Sequence, residues 1–215
     1  MKYFLILFLF SLNSIFAQHQ NNPSIFSTSE FGLYGGVNFS AFSDIGSSFL
    51  FEGRTNLSSK FNLKASIGYT KTYNPNSYNV KTNDFSNIDN IKKYYAVSYK
   101  VLKTQYQIIP FSLGVQYQLN YDSFYPYTQI EAGYKWIDPL TTKSAEKRNG
   151  EYNSFEELPK EYKQKDTLPV SSFSIGIGFG VKYRISNLLN VDFRYLYQFD
   201  SEIFNTHQFL IGLTI

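Results

Sequence analysis

Apolar and polar residues alternate along most of the chain with a period of two. That is the period at which neighbouring side chains of a strand point to opposite faces. The alternation predicts eight strands. The first covers 30–40, with Phe31, Leu33, Val37 and Phe39 on one face, and the second 47–57, with Phe49, Phe51, Thr55 and Leu57. The third covers 61–73 (Phe61, Leu63, Ala65, Ile67, Tyr69), and the fourth 104–119 (Ile109, Phe111, Leu113, Val115, Tyr117, Leu119). The fifth covers 125–137 (Ile130, Ala132, Tyr134, Trp136), and the sixth 172–184 (Phe173, Ile175, Ile177, Phe179, Val181, Tyr183). The last two are 189–199 (Leu189, Val191, Phe193, Tyr195, Tyr197, Phe199) and 206–215 (His207, Phe209, Ile211, Leu213, Ile215). Soluble strands average five or six residues. These are long enough for the roughly 9–11 residues that a tilted strand needs to cross a bilayer.

The connections carry a second signal. Residues 58–60, 120–124 and 185–188 read as tight turns, whereas 74–103 and 138–171 are long and 41–46 and 200–205 intermediate. Short turns at one end and longer loops at the other are the plan of a barrel in an outer membrane, with the turns periplasmic. The predicted fold is all-β: an eight-stranded antiparallel up-and-down transmembrane β-barrel over 30–215. Its long extracellular loops are 74–103 and 138–171, Tyr94-Tyr95 and Val97-x-Tyr99-x-Val101 suggest that strands continue above the membrane in the first of them, and both termini are periplasmic.

The N-terminus reads as an export signal. Met1-Lys2 is followed by an unbroken apolar run from Tyr3 to Phe10, a more polar stretch 11–14, and then Ile15-Phe16-Ala17-Gln18. This is the order of a secretory signal peptide over 1–17, cleaved after Ala17. Residues 18–29 then form a periplasmic N-terminal segment. No later stretch is apolar for 18 residues, so the exported chain is either soluble in the periplasm or outside, or enters a membrane as a closed barrel.

Charge sorts to one face. The aromatic-bearing faces carry no Asp, Glu, Lys or Arg in their central parts, and Lys71 and His207 fall on them only at the outer strand ends. The opposite face carries Glu30, Glu52, Arg54, Lys64, Glu131, Lys135, Lys182, Arg184, Asp192 and Arg194. A Lys or Arg facing mid-bilayer costs about 2–4 kcal/mol. The charged face is therefore predicted to line the interior, where ions pair and plug a lumen only wide enough for its own side chains. Glu52 and Arg54 are expected to face Lys64, and Asp192 and Arg194 to meet Lys182. The charged face also collects Gly32, Gly36, Gly68, Gly114, Gly133, Gly176, Gly178, Gly180 and Gly212, which leave room for long neighbours.

Composition changes the picture in one respect. The chain has 21 Phe, 19 Tyr and 1 Trp, 19% of its residues, against 17% charged. Rings with an apolar body and a polar tip belong at membrane borders. Phe31, Phe61, Tyr117 and Tyr183 are expected to mark the periplasmic border. Phe39, Phe49, Tyr69, Trp136, Phe173, Tyr197 and Phe199 are expected to mark the outer one.

With these features the chain resembles small outer-membrane β-barrel proteins of OmpA/OmpX type, including PorT-like barrels of Bacteroidetes. The patterning over 30–215 carries the resemblance. The strand segment Gln107-Ile108-Ile109-Pro110-Phe111-Ser112-Leu113-Gly114 and the terminal strand 208–215 add to it. The latter is similar to the signal read by the barrel assembly machinery, although it ends in Ile215 rather than an aromatic. The resemblance implies a Gram-negative outer membrane and partners among its lipid and lipopolysaccharide.

Candidate chemistry is sparse. There is no Cys, which excludes thiol catalysis, zinc-thiolate sites, disulfides and a lipid anchor on an N-terminal Cys. A net charge of +3, spread along the chain, gives no footprint for nucleic acid. His19 lies in an unpatterned stretch and His207 has no nearby Ser on its strand face, so no nucleophile–base pair is expected. No metal-ligand spacing occurs, and Gly176-x-Gly178-x-Gly180 sits within a strand rather than in a nucleotide loop. Neither cofactor nor catalytic residue is predicted. Segment 143–166 is densely charged, and Ser154-x-x-Glu157 matches a capping box for a short helix limited by Pro159. The expected protein is a monomeric, non-enzymatic barrel with a structural, surface-recognition or secretion-accessory role, and its outer loops are available to an extracellular protein partner. A small channel or transporter is the alternative, and a lipid-modifying enzyme a more distant one.

Overall fold

A computed structural model of the chain describes residues 29–40, 44–74, 76–88, 91–119, 123–164 and 167–215. The predicted signal peptide 1–17, residues 18–28 and His19 lie outside the described residues. Ten strands follow in order: β1 (Ser29–Phe39), β2 (Gly46–Asn56), β3 (Phe61–Asn74), β4 (Tyr78–Ile88), β5 (Ile91–Gln118), β6 (Phe124–Lys143), β7 (Lys147–Tyr152), β8 (Ser171–Arg184), β9 (Asn190–Asp200) and β10 (Thr206–Thr214). A 3-10 turn, Lys160–Tyr162, lies between β7 and β8.

Eight of these strands close an antiparallel barrel. Going round the wall the order is β1, β2, β3, β5, β6, β8, β9, β10. The ring is completed by β3 against β5 and by β10 against β1. At one end the turns are short and built alike. Leu57 and Ser58 donate backbone N–H groups to the Phe61 carbonyl, and Ile185 and Ser186 donate theirs to Leu189. Ser58 Oγ accepts from the N–H of Phe61 at 3.2 Å, and Ser186 Oγ from that of Leu189 at 3.2 Å. A serine in each turn thus satisfies a backbone donor that the ladder leaves over.

The other end differs from the sequence expectation. The two long connections carry strands. β5 is 28 residues long, and its upper half is flanked by β4 on one side and by the end of β6 and then β7 on the other. β4 continues the line of β3 along β5, and β7 continues that of β6. The result is a three-stranded blade continuous with the wall, and the 11 residues of β4 correspond to roughly 35 Å of strand. The alternation of Tyr95, Val97, Tyr99 and Val101 continues as the upper half of β5, as expected, whereas β4 and β7 lie in segments expected as loop. Those four pack with Val80 and Tyr78. The helix expected after Ser154 does not form. Glu157 instead accepts the backbone N–H of Asn153 at 3.1 Å, and the helical turn begins only after Pro159.

The burial pattern is that of a soluble protein turned inside out. Large apolar side chains such as Leu33, Phe51, Ile67, Leu113, Ile130, Ile177, Phe193 and Ile211 stand exposed round the wall, while Glu52, Arg54, Lys64, Glu131, Lys135, Lys182, Asp192 and Arg194 are buried within it. A continuous exposed apolar belt of this extent has no stable place in water. It fits an outer face in lipid, with every backbone group in the closed ladder satisfied.

Candidate functional site

The lumen is filled in layers. Its neck is a ring of ions contributed by distant strands. Glu52 of β2 is fully buried and accepts from three cations: Arg54 Nε at 2.5 Å, Lys64 Nζ at 3.2 Å, and Arg194 through Nη1 at 2.7 Å and Nη2 at 3.0 Å. Lys64 also reaches Glu131 at 2.5 Å, and Arg54 Nη2 reaches Asp192 at 2.6 Å. Arg54, Lys64 and Arg194 are therefore balanced by Glu52, Glu131 and Asp192. Such balance matters because an unpaired charge left inside costs about 3–5 kcal/mol.

Two tyrosines complete the neck. Tyr127 Oη donates to Asp192 at 2.5 Å and accepts from Arg194 Nε at 3.0 Å. Tyr34 Oη donates to the other Asp192 oxygen at 2.8 Å and also accepts from Arg54. The Tyr34 ring lies under the Arg194 guanidinium at 4.2 Å. Glycines make this possible. A Cβ at Gly32 would stand 2.7 Å from the Tyr34 ring, and one at Gly212 or Gly180 would collide with Tyr34 or Tyr127 respectively. These inward tyrosines are not among the aromatics expected at the membrane borders and are absent from the residues singled out from the sequence. They share the parity of the charged residues on their strands, and that signal identifies them.

Above the neck, towards the blade, Leu50 and Leu210 pack on Tyr34, with Leu196 also buried. Beyond them Lys135 Nζ pairs with Asp200 at 2.7 Å and donates to Gln198 Oε1 at 3.0 Å, and Gln208 donates to the same oxygen at 2.8 Å. Asp200, absent from the predicted set, extends the inward parity of Asp192 and Arg194 to the last residue of β9. The outer mouth is narrowed by the β9–β10 connection. Ile203 and Phe204 pack on Tyr106, Ile108 and Ile137, leaving a cavity of about 260 Å³ beside them.

Below the neck lies the mouth at the short-turn end, the end expected to be periplasmic. Lys182, expected to meet Asp192, is its register neighbour across β8 and β9, yet its ammonium goes to Glu30 of β1 at 2.9 Å. Asp192 is already held by two arginines and two tyrosines, which leaves Glu30 as the acceptor for Lys182. Arg184 is exposed at the rim rather than packed in the lumen, with its guanidinium 5.2 Å from the centre of the Tyr125 ring.

Among the border aromatics, Phe31, Phe49, Phe61, Tyr69, Trp136, Phe173, Tyr183 and Phe199 are exposed on the wall, Phe173 most at 69%. Phe39, Tyr117 and Tyr197 are half-buried by stacking. Phe39 lies on His207 and Phe209, Tyr117 on Phe61, and Tyr197 on Phe199 and His207. His207 Nδ1 bonds the Tyr195 hydroxyl at 2.8 Å, which places the imidazole in an aromatic patch rather than beside a nucleophile. No cluster of metal-ligating side chains occurs among the described residues.

The sequence of residues 5–215 matches the model of a protein family described as outer membrane protein beta-barrel domain. The chain belongs to that family. The fold and the inverted burial of this barrel protein place it in the outer membrane of a Gram-negative bacterium. Solved structures similar to it include Neisserial surface protein A (11% identity, TM-score 0.48, covering 87% of this chain and 94% of that one). Ail of Yersinia pestis is similar at 10% identity and TM-score 0.45, covering 87% of this chain and 97% of its own. The N-terminal β-barrel domain of Pseudomonas aeruginosa OprF has 11% identity and TM-score 0.46, covering 89% and 100%. No curated protein matches the chain.

The barrel protein's blade carries exposed charged pairs. The segment after β7 folds back over one face, where Leu158 and Tyr162 cover Ala96 and Asn83 donates to the Tyr162 carbonyl at 2.7 Å. Lys81 pairs with Glu161 and Lys93 with Glu151, each at 2.9 Å. The hydrogen bond that each lysine donates to its carboxylate raises the lysine's pKa above its ordinary value. Lys143 and Arg148 lie over the rings of Tyr99 and Tyr95 at 4.2 and 4.3 Å.

Proposed function

We propose that this barrel protein is a non-enzymatic, plugged element of the outer membrane that acts through its extracellular blade, as a structural or surface-recognition protein or as an accessory to secretion. The observation that carries the reading is the ionic neck. Its six charges come from β2, β3, β6 and β9 and bridge the lumen from wall to wall. A solute crossing the barrel would have to break several buried ion pairs together, each break leaving charge uncompensated. Non-enzymatic action is supported by the setting of His207, whose Nδ1 is engaged by the Tyr195 phenol and whose ring is stacked among Phe39 and Tyr197. The lipid partner includes lipopolysaccharide at the outer border, and the chain acts as a monomer. Export by a signal peptide cleaved after Ala17 and insertion by the barrel assembly machinery belong to the same reading.

Planar-bilayer recording of the purified barrel tests the plug: only small or no conductance is expected, and large stable channels would overturn it. Deletion of 143–166 tests the blade. The deleted barrel should still fold and should lose contact with surface partners, and retention of every interaction would argue against the blade as the working surface. Mass spectrometry of the mature protein should find Gln18 as the first residue.

A further inference from the structure

The mouth at the short-turn end opens into a cavity of about 570 Å³, whose lining includes Arg54, Lys182 and Arg184 as cations and Glu30 as the side-chain carboxylate. The carboxylate is already committed. Glu30 Oε1 accepts from Lys182 at 3.0 Å, Asn190 at 3.1 Å and Thr214 at 2.7 Å, and Oε2 accepts from Lys182 at 2.9 Å. It has little capacity left for the other two cations. Arg54, only 5% exposed, has a buried Nη1 that makes no hydrogen bond, and the nearest carboxylate oxygen, Glu30 Oε2, stands at 3.6 Å. A buried guanidinium N–H without an acceptor is unusual. Arg184 makes no ion pair among the described residues; its guanidinium lies 5.2 Å from the centre of the Tyr125 ring, and the Lys182 ammonium lies 5.6 Å from the same centre. Asn56 and Asn62 add neutral amide donors to the same wall.

We propose that this mouth is a binding site for a small oxyanion, the phosphate or carboxylate group of a periplasmic solute or of a lipid headgroup. Arg184 and Lys182 contact it from the rim, and Arg54 Nη1 supplies the deep donor. Guanidinium groups suit this task because their planar N–H pairs match two oxygens at once. The site shares Arg54 with the neck, through the Nη1 that the neck's carboxylates leave without a hydrogen bond, and the rest of its lining lies on the short-turn side.

The test uses the full barrel folded in zwitterionic detergent, with inorganic phosphate and then acetate as probes, followed by calorimetry and by NMR of the arginine side chains. Saturable binding at one site in the millimolar range is expected. Phosphate and acetate should compete, and the Arg184 Nε resonance should move. Arg184→Gln, at an exposed position, should weaken binding about tenfold through loss of one charge-assisted contact. Asn62→Asp should weaken it by placing a carboxylate in the wall. A heat-modifiable gel shift verifies that each variant is folded. Repeating the titration in micelles doped with phosphatidylglycerol separates the sources: loss of phosphate binding assigns the site to a lipid headgroup, and unchanged binding to a free solute. Absence of saturable binding of phosphate and acetate, or equal affinity in the wild type and both variants, would overturn the proposal.

Discussion

Replacing Glu52 by Gln isolates the energetic weight of the neck. The side chain keeps its shape and one carbonyl oxygen but loses the charge that serves Arg54, Lys64 and Arg194 together. Lys64 retains Glu131 and Arg54 retains Asp192, but Arg194 is left with Asp192 at 3.6 Å. One cation in a fully buried ring is then without a close carboxylate, a situation that costs about 3–5 kcal/mol. With a urea dependence of about 3 kcal/mol per molar, the unfolding midpoint falls by roughly 1–1.7 M. Reversible urea unfolding in detergent or lipid vesicles, followed by circular dichroism and heat-modifiable gel mobility, measures it. Adding Arg194→Gln to Glu52→Gln restores the balance, so the double variant should be more stable than the sum of the two single losses predicts, by about 0.5–3 kcal/mol. A midpoint for Glu52→Gln within about 0.2 M of wild type would mean that the neck is hydrated and its ions screened, and would refute the reasoning.

The same unfolding assay distinguishes two glycines: Gly212→Val forces a branched side chain into the Tyr34 ring and should cost about 1–3 kcal/mol, whereas Gly35→Ala, whose added Cβ meets nothing within 4 Å, should be neutral or slightly stabilising. Trp136, the single tryptophan and 52% exposed on the wall, should be quenched strongly by brominated lipid and weakly by aqueous acrylamide, and the reverse order would remove that residue from the lipid face. Lys135→Met strands Asp200 and should destabilise the barrel, and Asp200→Asn in the same chain should recover much of the loss. For the Lys81–Glu161 pair on the blade, an NMR titration should place the lysine above its ordinary value of 10.5. A raised lysine value means that the pair's contribution is complete below that pH and is lost as pH climbs through the higher one. Since the pair is exposed, Lys81→Ala should leave the unfolding midpoint where it was.

The barrel wall was legible because one physical demand, an apolar outside against a polar inside, is written into every strand at a period of two. β1, β2, β3, β8, β9 and β10 fall within a residue of their expected ends. Legibility failed where that demand stops. Beyond the barrel rim both faces of the strands meet water or other side chains, so alternation there is short: Val97, Tyr99 and Val101 still show that a strand continues, but β4 and β7 are not delimited by it. The bulge between Val101 and Lys103 also shifts the parity there. Within the lumen, parity alone places Tyr34, Tyr127 and Asp200 on the face of Glu52 and Arg194. It does not say which ions meet, because the contacts cross the barrel: Glu30 reaches Lys182 from β1 to β8, and Arg54 reaches Asp192 from β2 to β9. Register between neighbouring strands suggests Asp192 for Lys182, and only the closed geometry reveals the competition that Arg54 wins.

That cross-barrel wiring bears on assembly. Tyr34 and Asp192 are 158 residues apart in sequence, Glu52 and Arg194 142, and Arg54 and Asp192 138. A hairpin of β1 and β2 entering the bilayer alone would bring Glu52 and Arg54 with Glu30 but without Lys64, Asp192 or Arg194, and a hairpin of β8 and β9 would bring Arg194 and Asp192 with Lys182 but without Glu52, Arg54 or Glu30. Each partial sheet would hold charges in hydrocarbon that are satisfied only when the opposite wall arrives. The chain is thus set to resist stepwise insertion and to reward simultaneous closure. Half-built barrels should be scarce at equilibrium, and the pairing of β1 with β10 should coincide with the moment the neck forms.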